Sequence, residues 1–210
     1  MGEAAKKVAA LEAVANSDCG YFYRRNAKTF TQIPGTPIAY WASDAVISVF
    51  GTFEKLSQKA PTKTGMFTGD NGKFLRQWFE MPASGFGIDY KPYCKGGSYR
   101  KWYGNMDYVV RWRNDGEEIK SFAGSGNINC SDYFKPCVVW SLITSDKISF
   151  RLLESDQYVM GDAGPACYAP EQVRLALSGA LNSSVVDALS KMINPTLNWS
   201  AGVVASFPIP

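Results

Sequence analysis

Apolar residues recur at helical spacing in the first quarter of the chain. Residues 3 to 16 form an alanine-rich pattern with only a thin apolar stripe, so the predicted helix is expected to lean on a partner. Pro34 and Pro37 punctuate the chain before a second predicted helix, which Ser43 can cap. Its core-facing positions are predicted to be Val46, Val49, Phe50 and Phe53.

Two more helical patterns follow Pro170. The first is predicted to bury Val173, Ala176, Leu177 and Leu181. The second can be capped at Asn182 or Ser183 and ends before Pro195. Its inward positions are predicted to be Val185, Leu189, Met192 and Ile193. The tail GVVASFPIP is predicted to be a short strand that runs into an extended end.

The middle of the chain is rich in β-branched and aromatic residues that are bounded by Gly, Asn and Asp, a pattern typical of strands. Strands are predicted at MFT, FLRQWFE and DYVVRWR, and a further edge strand at Tyr21 to Arg25. Residues 137–144, 147–153 and 157–164 are separated by short turns, which predicts an antiparallel meander at the centre of the sheet. The fold class expected is therefore α/β (α+β), a mainly antiparallel twisted sheet flanked by helices.

Composition narrows the class of protein. A chain of 210 residues that is 46% hydrophobic favours one folded domain. No apolar run is long enough for a membrane helix, and the first fifteen residues lack the apolar core of a secretory signal, so a cytoplasmic protein is expected. Five cysteines without CxxC pairs, and no histidine at all, favour reduced thiols and no metal site, and they remove the Ser-His and Cys-His nucleophiles.

The net charge of +3 is small, but its distribution is uneven. Six basic residues lie between Lys91 and Arg113, against Asp107 within the segment and Asp89 just before it. Such a cationic stripe can contact nucleic acid. Arg111 and Arg113 share one strand face and either meet DNA or form ion pairs with glutamates 117 and 118, whereas Trp112 is expected in the core.

The loop at residues 62–80 is one candidate for DNA contact. Glycines permit close approach to a phosphate, and Asn, Gln and Arg can pair with base edges in the major groove. The alternative is a tight turn between two strands. The candidate contact residues are Lys63, Thr68, Asp70, Asn71, Lys73, Arg76 and Gln77.

The segment Lys95 to Asn105 is the second candidate. Its cations can displace counterions from DNA, and the amides of its two glycines can cradle an oxyanion. The alternative is a solvated hairpin whose aromatic rings anchor it to the core. The candidate contact residues are Lys95, Gly96, Gly97, Ser98, Tyr99, Arg100, Lys101 and Trp102. Structural roles are expected for Arg24 and Arg25, and for a turn at Asn194 to Asn198.

Four long strings occur in order: FTGDNGKFLRQWFE, YKPYCKGGSYRKWYGNMDYVVRWRNDG, VVWSLITSDKISFR and LNSSVVDALSKMINPTLNWSAGVVASFPIP. Together they resemble the C-terminal region of BREX-type and related type II adenine-specific DNA methyltransferases. In such proteins an S-adenosylmethionine-dependent catalytic domain precedes a target-recognition domain similar to type I restriction specificity subunits. The resemblance implies a linker helix at residues 1–20, left from a missing catalytic domain, and a target-recognition domain at residues 21–210.

The resemblance also implies that this chain is no enzyme and needs no cofactor. The Asn/Asp-Pro-Pro-Tyr/Phe loop that holds a flipped adenine is absent, and the nearest string, Asn194 to Leu197, lacks the second proline and the aromatic residue. S-adenosylmethionine would bind the parent enzyme. The expected partners are double-stranded DNA, the missing catalytic domain and other phage-defence proteins. A protein-interaction module and a carbohydrate-binding domain are the alternatives.

Overall fold

The computed structural model describes residues 2–128, 131–145 and 147–210. The chain divides into two compact units, one that ends at Thr52 and one from Phe53 to Pro210. The linker helix at residues 1–20 and the target-recognition domain at residues 21–210, which the resemblance implies, stay a prediction. In the described part of the chain, every helix is too short or too polar to cross a lipid bilayer.

The described part of the first unit, residues 2–52, contains two α-helices. Helix α1 spans Glu3–Ala15 and α2 spans Asp44–Thr52, with a 3-10 helix at Ala27–Gln32 between them. Both predicted helices are confirmed, and Ser43 accepts a hydrogen bond from the Val46 amide at 3.3 Å. No residue of α1 is buried, which agrees with its thin apolar stripe.

Two details of this unit differ from the prediction. The strand predicted at Tyr21 to Arg25 is wrong, since these residues form no regular element. Arg25 has the structural role that was expected, because it contacts Asp44 at 2.5 Å and donates to the Ala42 carbonyl at 2.6 Å. In α2 the buried residue is Ile47, whereas the predicted core residue Phe53 is 40% exposed.

The described residues of the second unit form ten short strands and six α-helices. The strands are β1 Glu54–Lys55, β2 Thr62–Lys63, β3 Leu75–Gln77, β4 Tyr90–Cys94, β5 Tyr108–Arg111, β6 Cys137–Trp140, β7 Phe150–Leu153, β8 Val159–Met160, β9 Ala166–Cys167 and β10 Pro208–Ile209. The helices are α3 Leu56–Lys59, α4 Asn71–Phe74, α5 Arg113–Lys120, α6 Glu171–Leu181, α7 Ser184–Ile193 and α8 Ala201–Ala205. The predicted mixture of helices with mainly antiparallel strands is confirmed.

The strands form two four-stranded sheets and one strand pair, instead of the single sheet that was predicted. The first sheet has the order β2-β9-β6-β7 and is antiparallel throughout. The second has the order β3-β5-β4-β8, in which only β4 and β8 are parallel. Strand β1 pairs with β10.

The predicted meander is wrong at its third strand. Strands β6 and β7 form the expected antiparallel pair, but β8 joins β4 in the second sheet. The reason is that β6 is buried on both faces: Val138 belongs to one core and Val139 to the other. A sheet with two apolar faces needs a layer on each side, and β8 helps to build the second layer.

Each face of the first sheet therefore has its own core. The first core lies between this sheet and the C-terminal helices, and its large members are Leu56, Trp140, Phe150, Leu177, Leu181, Trp199 and Phe207. The second core joins the two sheets and includes Met66, Phe74, Tyr93, Val110, Trp112 and Leu153. The prediction that Trp112 lies in the core is confirmed.

The predicted strands at residues 66–68 and 74–80 are shorter than their apolar patterns. Residues 66–68 form only single bridges, from Met66 to Gly161 and from Phe67 to Gly126. In the run at 74–80, strand β3 ends at Gln77, and the next residues form a 3-10 helix at Trp78–Glu80. The Glu80 carboxylate accepts a hydrogen bond from the Gln77 amide at 2.7 Å, which closes this turn.

Helices α6 and α7 are confirmed, and Ser183 caps α7 by accepting from the Val186 amide at 3.2 Å. Their inward faces differ from the prediction at three positions, since Val173, Ala176 and Val185 are exposed. Val173 is 46% exposed and the neighbouring Arg174 is buried, while Val185 is exposed and Val186 is buried.

The tail is a helix before it is a strand. Its GVVA residues lie in α8, where Ser200 accepts a hydrogen bond from the Val203 amide at 3.3 Å. The predicted strand is therefore wrong for these residues and holds only for β10. The turn predicted at Asn194 is confirmed, since its side chain donates to the Asn198 carbonyl at 2.8 Å.

Candidate nucleic-acid interface

Polar side chains hold the loop that leads into β3. The Thr68 hydroxyl is buried and donates to Asn71 Oδ1 at 2.7 Å. Asp70 Oδ1 accepts from the Lys73 amide at 3.0 Å and so caps α4. These three side chains build the turn, as the alternative interpretation of the loop expects. Their contact with DNA bases stays a prediction.

Two predicted contact cations converge on one carboxylate. Lys73 Nζ lies 3.2 Å from Glu118, and Arg111 Nε lies 3.3 Å from the other oxygen of that carboxylate, without the alignment of a hydrogen bond. Lys73 Nζ also lies 4.7 Å from the ring centre of Phe122, a cation–π distance. The ion pair predicted between Arg111 and Glu118 is confirmed.

Arg113 forms its ion pair elsewhere than predicted. Its Nη2 lies 2.9 Å from Asp89 Oδ2, and this partner raises the pKa of Arg113 above its usual value. The cause is the antiparallel register of β4 and β5, which pairs Tyr90 with Arg111 and brings Asp89 beside the end of β5. Glu117 accepts instead from the Asn114 side chain at 3.4 Å.

Arg76, Gln77 and Lys63 lie on strands at sheet edges. Arg76 is exposed on β3, and its Nη1 donates to the Gly72 and Leu75 carbonyls at 2.6 and 2.7 Å. Gln77 is half-buried on the same strand, and Lys63 is exposed on β2 of the other sheet. Within the described ranges, neither Arg76 nor Lys63 forms a salt bridge. Their charges are available to a partner.

The paired glycines are required by close backbone packing. Gly96 has φ +76°, and a Cβ atom there would lie 2.3 Å from the Ala163 carbonyl oxygen. Gly97 has φ +134°, and a Cβ atom there would lie 2.8 Å from the Asn105 side chain, which donates to the Ser98 carbonyl at 2.8 Å. Both positions need glycine because the loop packs closely on Ala163 and Asn105. An oxyanion cradle at their amides stays a prediction.

The segment after the glycines is fastened to the first sheet. The Trp102 amide donates to the Phe150 carbonyl, and the Leu152 amide donates to the Trp102 carbonyl, both at 2.9 Å. Lys101 Nζ donates to the Asn182 carbonyl at 2.5 Å. Arg100 keeps its side chain exposed. The segment thus lies along the free edge of β7.

The structure therefore sorts the predicted contact residues into two groups. Most of the first candidate loop lies on the second sheet or its loops, together with Arg111 on β5 and Arg113 just after it, while residues 98–102 lie against the first sheet. Lys95 is between them, with Nζ 4.6 Å from the ring centre of Tyr108 on β5. Both groups belong to one compact unit. Their joint contact with one DNA duplex stays a prediction.

Sequence reasoning left out two features of this surface. The first is an exposed aromatic pair, Trp78 and Phe79, whose ring centres lie 5.8 Å apart. The second is a pocket of about 500 Å³ between the 97–99 segment and the 141–149 segment. Its lining is rich in hydroxyl groups: Gly97, Ser98, Tyr99, Ser141, Ile143, Thr144, Ser145, Lys147 and Ser149. The serines and threonine of VVWSLITSDKISFR could have indicated this pocket, but the string was interpreted only by its apolar strand pattern.

The thiols that the structure describes are free, as predicted for reduced cysteines. These are Cys19, Cys94, Cys137 and Cys167, while Cys130 lies outside the described residues. Burial raises the pKa of Cys94, raises that of Cys137 further, and raises the pKa of Cys167 to about 12. Protonated, buried thiols are poor nucleophiles and metal ligands, so these three have structural roles.

Comparison with known proteins identifies two relatives. No protein-family model matches the chain. The chain is 32% identical, over 226 aligned positions, to the adenine-specific methyltransferase PglX of Lacticaseibacillus casei (strain Zhang), an alignment that covers 97% of this chain and 19% of that protein. It is also 32% identical, over 191 positions, to the adenine-specific methyltransferase BrxX of Escherichia coli O9:H4 (strain HS), with 86% and 15% covered. The chain spans less than a fifth of either relative.

Proposed function

We propose that this chain recognises duplex DNA by sequence for an adenine-specific methyltransferase of a BREX-type phage-defence system. The observation that carries the proposal is the homology to PglX and BrxX, which extends over nearly the whole chain and over a small part of each relative. A methyltransferase that marks particular sites needs a surface that selects them. This chain has no histidine and no adenine-clamping loop, so recognition suits it better than catalysis.

The surface of the second unit supports this role. Arg76 and Arg100 are exposed cations, and both lie near exposed aromatic residues, Trp78 and Tyr99. Phosphate contacts from such cations position a protein on DNA, whereas side chains that reach base edges select the sequence. Gln77 is suited to the second task, since an amide can pair with adenine in the major groove.

Methyl transfer belongs, in this proposal, to a different part of the parent enzyme. That part would bind S-adenosylmethionine and the flipped adenine, and it would be the main protein partner of this chain. The chain itself supplies affinity and sequence choice. Its contribution is measurable without the cofactor, because DNA binding needs no chemical step.

Duplex binding at two salt concentrations tests the proposal. Fluorescence anisotropy with a labelled duplex of random sequence, and with duplexes that contain methylation sites of the parent, is measured for the chain and for the double variant R100A/K101A. At low salt the variant is expected to bind at least about tenfold more weakly than the unmodified chain. Its affinity should also depend less steeply on salt, because binding with fewer phosphate contacts releases fewer counterions from the DNA. The matched control is K6A/K7A, an adjacent pair of exposed lysines on α1.

Binding that is absent at low salt would overturn the proposal. So would binding that R100A/K101A and K6A/K7A weaken equally, since a general charge effect would then explain it. The rival function, contact with another protein of a defence complex, is favoured by the exposed pair Trp78 and Phe79. Such a contact would tolerate high salt and would be lost in W78A/F79A.

A further inference from the structure

The pocket between the 97–99 and 141–149 segments is lined by groups that can donate hydrogen bonds. Thr144 Oγ1 already accepts from Trp199 Nε1 at 3.1 Å, and Ser149 Oγ accepts from the Arg100 amide at 3.2 Å. A hydroxyl whose oxygen is engaged in this way keeps its hydrogen to donate. Lys147 adds an ammonium group at the rim. The residues that the structure describes in the lining include no carboxylate.

A buried guanidinium lies behind this lining. Arg151 on β7 has no solvent exposure, and its Nη2 donates to Ser141 Oγ at 3.4 Å. Its Nε and Nη1 have no hydrogen-bond partner among the described residues. Ser141 Oγ donates in turn to the Gly97 carbonyl at 2.8 Å. Ser141 therefore connects the buried charge to the pocket, which it lines.

The charge of Arg151 is not neutralised by its surroundings. Burial lowers its pKa, but an arginine stays protonated at neutral pH. Its titratable neighbours include the Cys94 thiol, whose pKa burial raises so that this group is neutral, and Arg100, which adds a like charge. Within the described residues, no carboxylate forms a salt bridge with Arg151. A buried charge without a counterion is costly, and an anion in the adjacent cavity would offset that cost.

We propose that this pocket binds an oxyanion and that, in the complex with DNA, the oxyanion is a phosphate group of the DNA backbone. The second half of this statement rests on the proposed function. Hydroxyl donors, one lysine and a buried guanidinium behind them match the negative charge and the two non-bridging oxygens of a backbone phosphate. The neighbouring Asp187 lies 3.6 Å from Lys147 Nζ, a weak surface pairing that a phosphate can replace.

Arg100 links this pocket to the predicted DNA-binding segment. Its amide is bonded to Ser149, while its side chain is exposed to solvent. A phosphate held at Ser149 and Ser145 would therefore lie next to the side chain that the proposed function places against DNA. Tyr99 lines the pocket on the same segment. The pocket would fix the register of the duplex and would not read its bases.

Inorganic phosphate is the first probe. In amide-resolved NMR, phosphate titration is expected to shift the amide signals of Ser145, Lys147 and Ser149 with saturation. The double variant S145A/K147Q should lose the saturable shifts, since both side chains are exposed and their loss removes two donors without disturbing the core. The control K135Q makes the same charge change at a lysine that also has a carboxylate partner, Asp132 at 3.0 Å. It should titrate like the unmodified chain.

Duplex DNA is the second probe. S145A/K147Q is expected to weaken duplex binding roughly tenfold at low salt, because charge-assisted hydrogen bonds to one phosphate are lost. The slope of log affinity against log salt concentration should fall by about one. K135Q should change neither quantity.

The outcomes separate this inference from the proposed function. DNA binding without saturable phosphate shifts, or with S145A/K147Q equal to K135Q, overturns the pocket and leaves DNA recognition standing. Phosphate shifts that S145A/K147Q abolishes, in a chain that binds no DNA, support the oxyanion site and overturn the recognition function. An absence of both signals overturns both.

Discussion

Arg174 on α6 forms a bidentate ion pair with Glu154, from Nε to Oε1 at 3.1 Å and from Nη2 to Oε2 at 2.8 Å. The Arg174 side chain is 9% exposed, and its Nη1 also donates to the Ala169 carbonyl at 3.1 Å. Glu154 directly follows β7. The pair therefore fastens the first C-terminal helix to the end of the first sheet.

Loss of this pair should destabilise the chain. We expect R174M to lower the free energy of unfolding by about 2 kcal/mol, because three hydrogen bonds are lost while the half-exposed Glu154 is partly rehydrated. Urea unfolding at neutral pH measures the change. The control E171Q alters an exposed acid at the start of the same helix and should cost much less. Equal losses in the two variants would show that the pair contributes nothing specific.

The same pair predicts a dependence of stability on pH. Arg174 lowers the pKa of Glu154 below its ordinary value of 4.5. The stability that this carboxylate contributes is therefore complete above the ordinary pKa and is lost as pH falls through the lowered one. The difference in unfolding free energy between the unmodified chain and E154Q should shrink as the pH falls from about 5 through the lowered pKa. A difference that stays constant over this range would contradict the prediction.

Substitutions at Gly96 and Gly87 distinguish two energetic costs of adding a side chain, the cost of a left-handed backbone angle and the cost of a steric clash. Both have left-handed backbone angles, φ +76° and +78°, but a Cβ atom at 87 has open space while one at 96 meets the Ala163 carbonyl oxygen at 2.3 Å. G87A should cost about 1 kcal/mol, the penalty of the angle alone. G96A should cost about 3 kcal/mol or more, because the backbone must also move. Thermal or urea unfolding of both variants compares them, and equal costs would show that the loop yields freely.

If the proposed function holds, Glu118 should weaken the affinity of the chain for DNA. Its carboxylate oxygens form ion pairs with Lys73 Nζ at 3.2 Å and with Arg111 Nε at 3.3 Å. We expect E118Q to strengthen duplex binding roughly threefold to tenfold at low salt and to steepen its salt dependence, because two cations lose their intramolecular partner. The neighbouring E117Q makes the same charge change without freeing either cation. Identical effects in the two variants would mean that only net charge matters.

Thiol reactivity tests the buried cysteines. In a C130S background, every remaining cysteine is one that the structure describes. A thiol reagent should label Cys19 quickly and the other three only when the chain unfolds, since burial raises the pKa values of Cys94, Cys137 and Cys167. The absorbance of the released product, with and without urea, gives both rates. Adding C19S should remove the fast phase, and a fast phase that survives would refute the burial of the others.

Local patterns located the elements of this chain well and their partners poorly. The helices near residues 3–15, 44–52, 171–181 and 184–193 follow from apolar spacing and serine caps, which depend only on neighbours in the sequence. The partner of β8 does not follow, because pairing with β4 is decided by residues about 65 positions away. The same is true of Arg113, whose partner Asp89 is set by the register of two strands.

The candidate site divides along the same line. Cations, glycines and aromatic residues can be read as residue types that suit DNA, but hydroxyl groups from residues 98 and 141–149 form a pocket only because the loop after β4 crosses to the edge of β7. Side-chain alternation and capping are short-range and are written in the order of the residues. The pocket arises from long-range packing, and so does the Arg151 guanidinium, which has no salt-bridge partner among the described residues; such packing depends on burial summed over the whole unit.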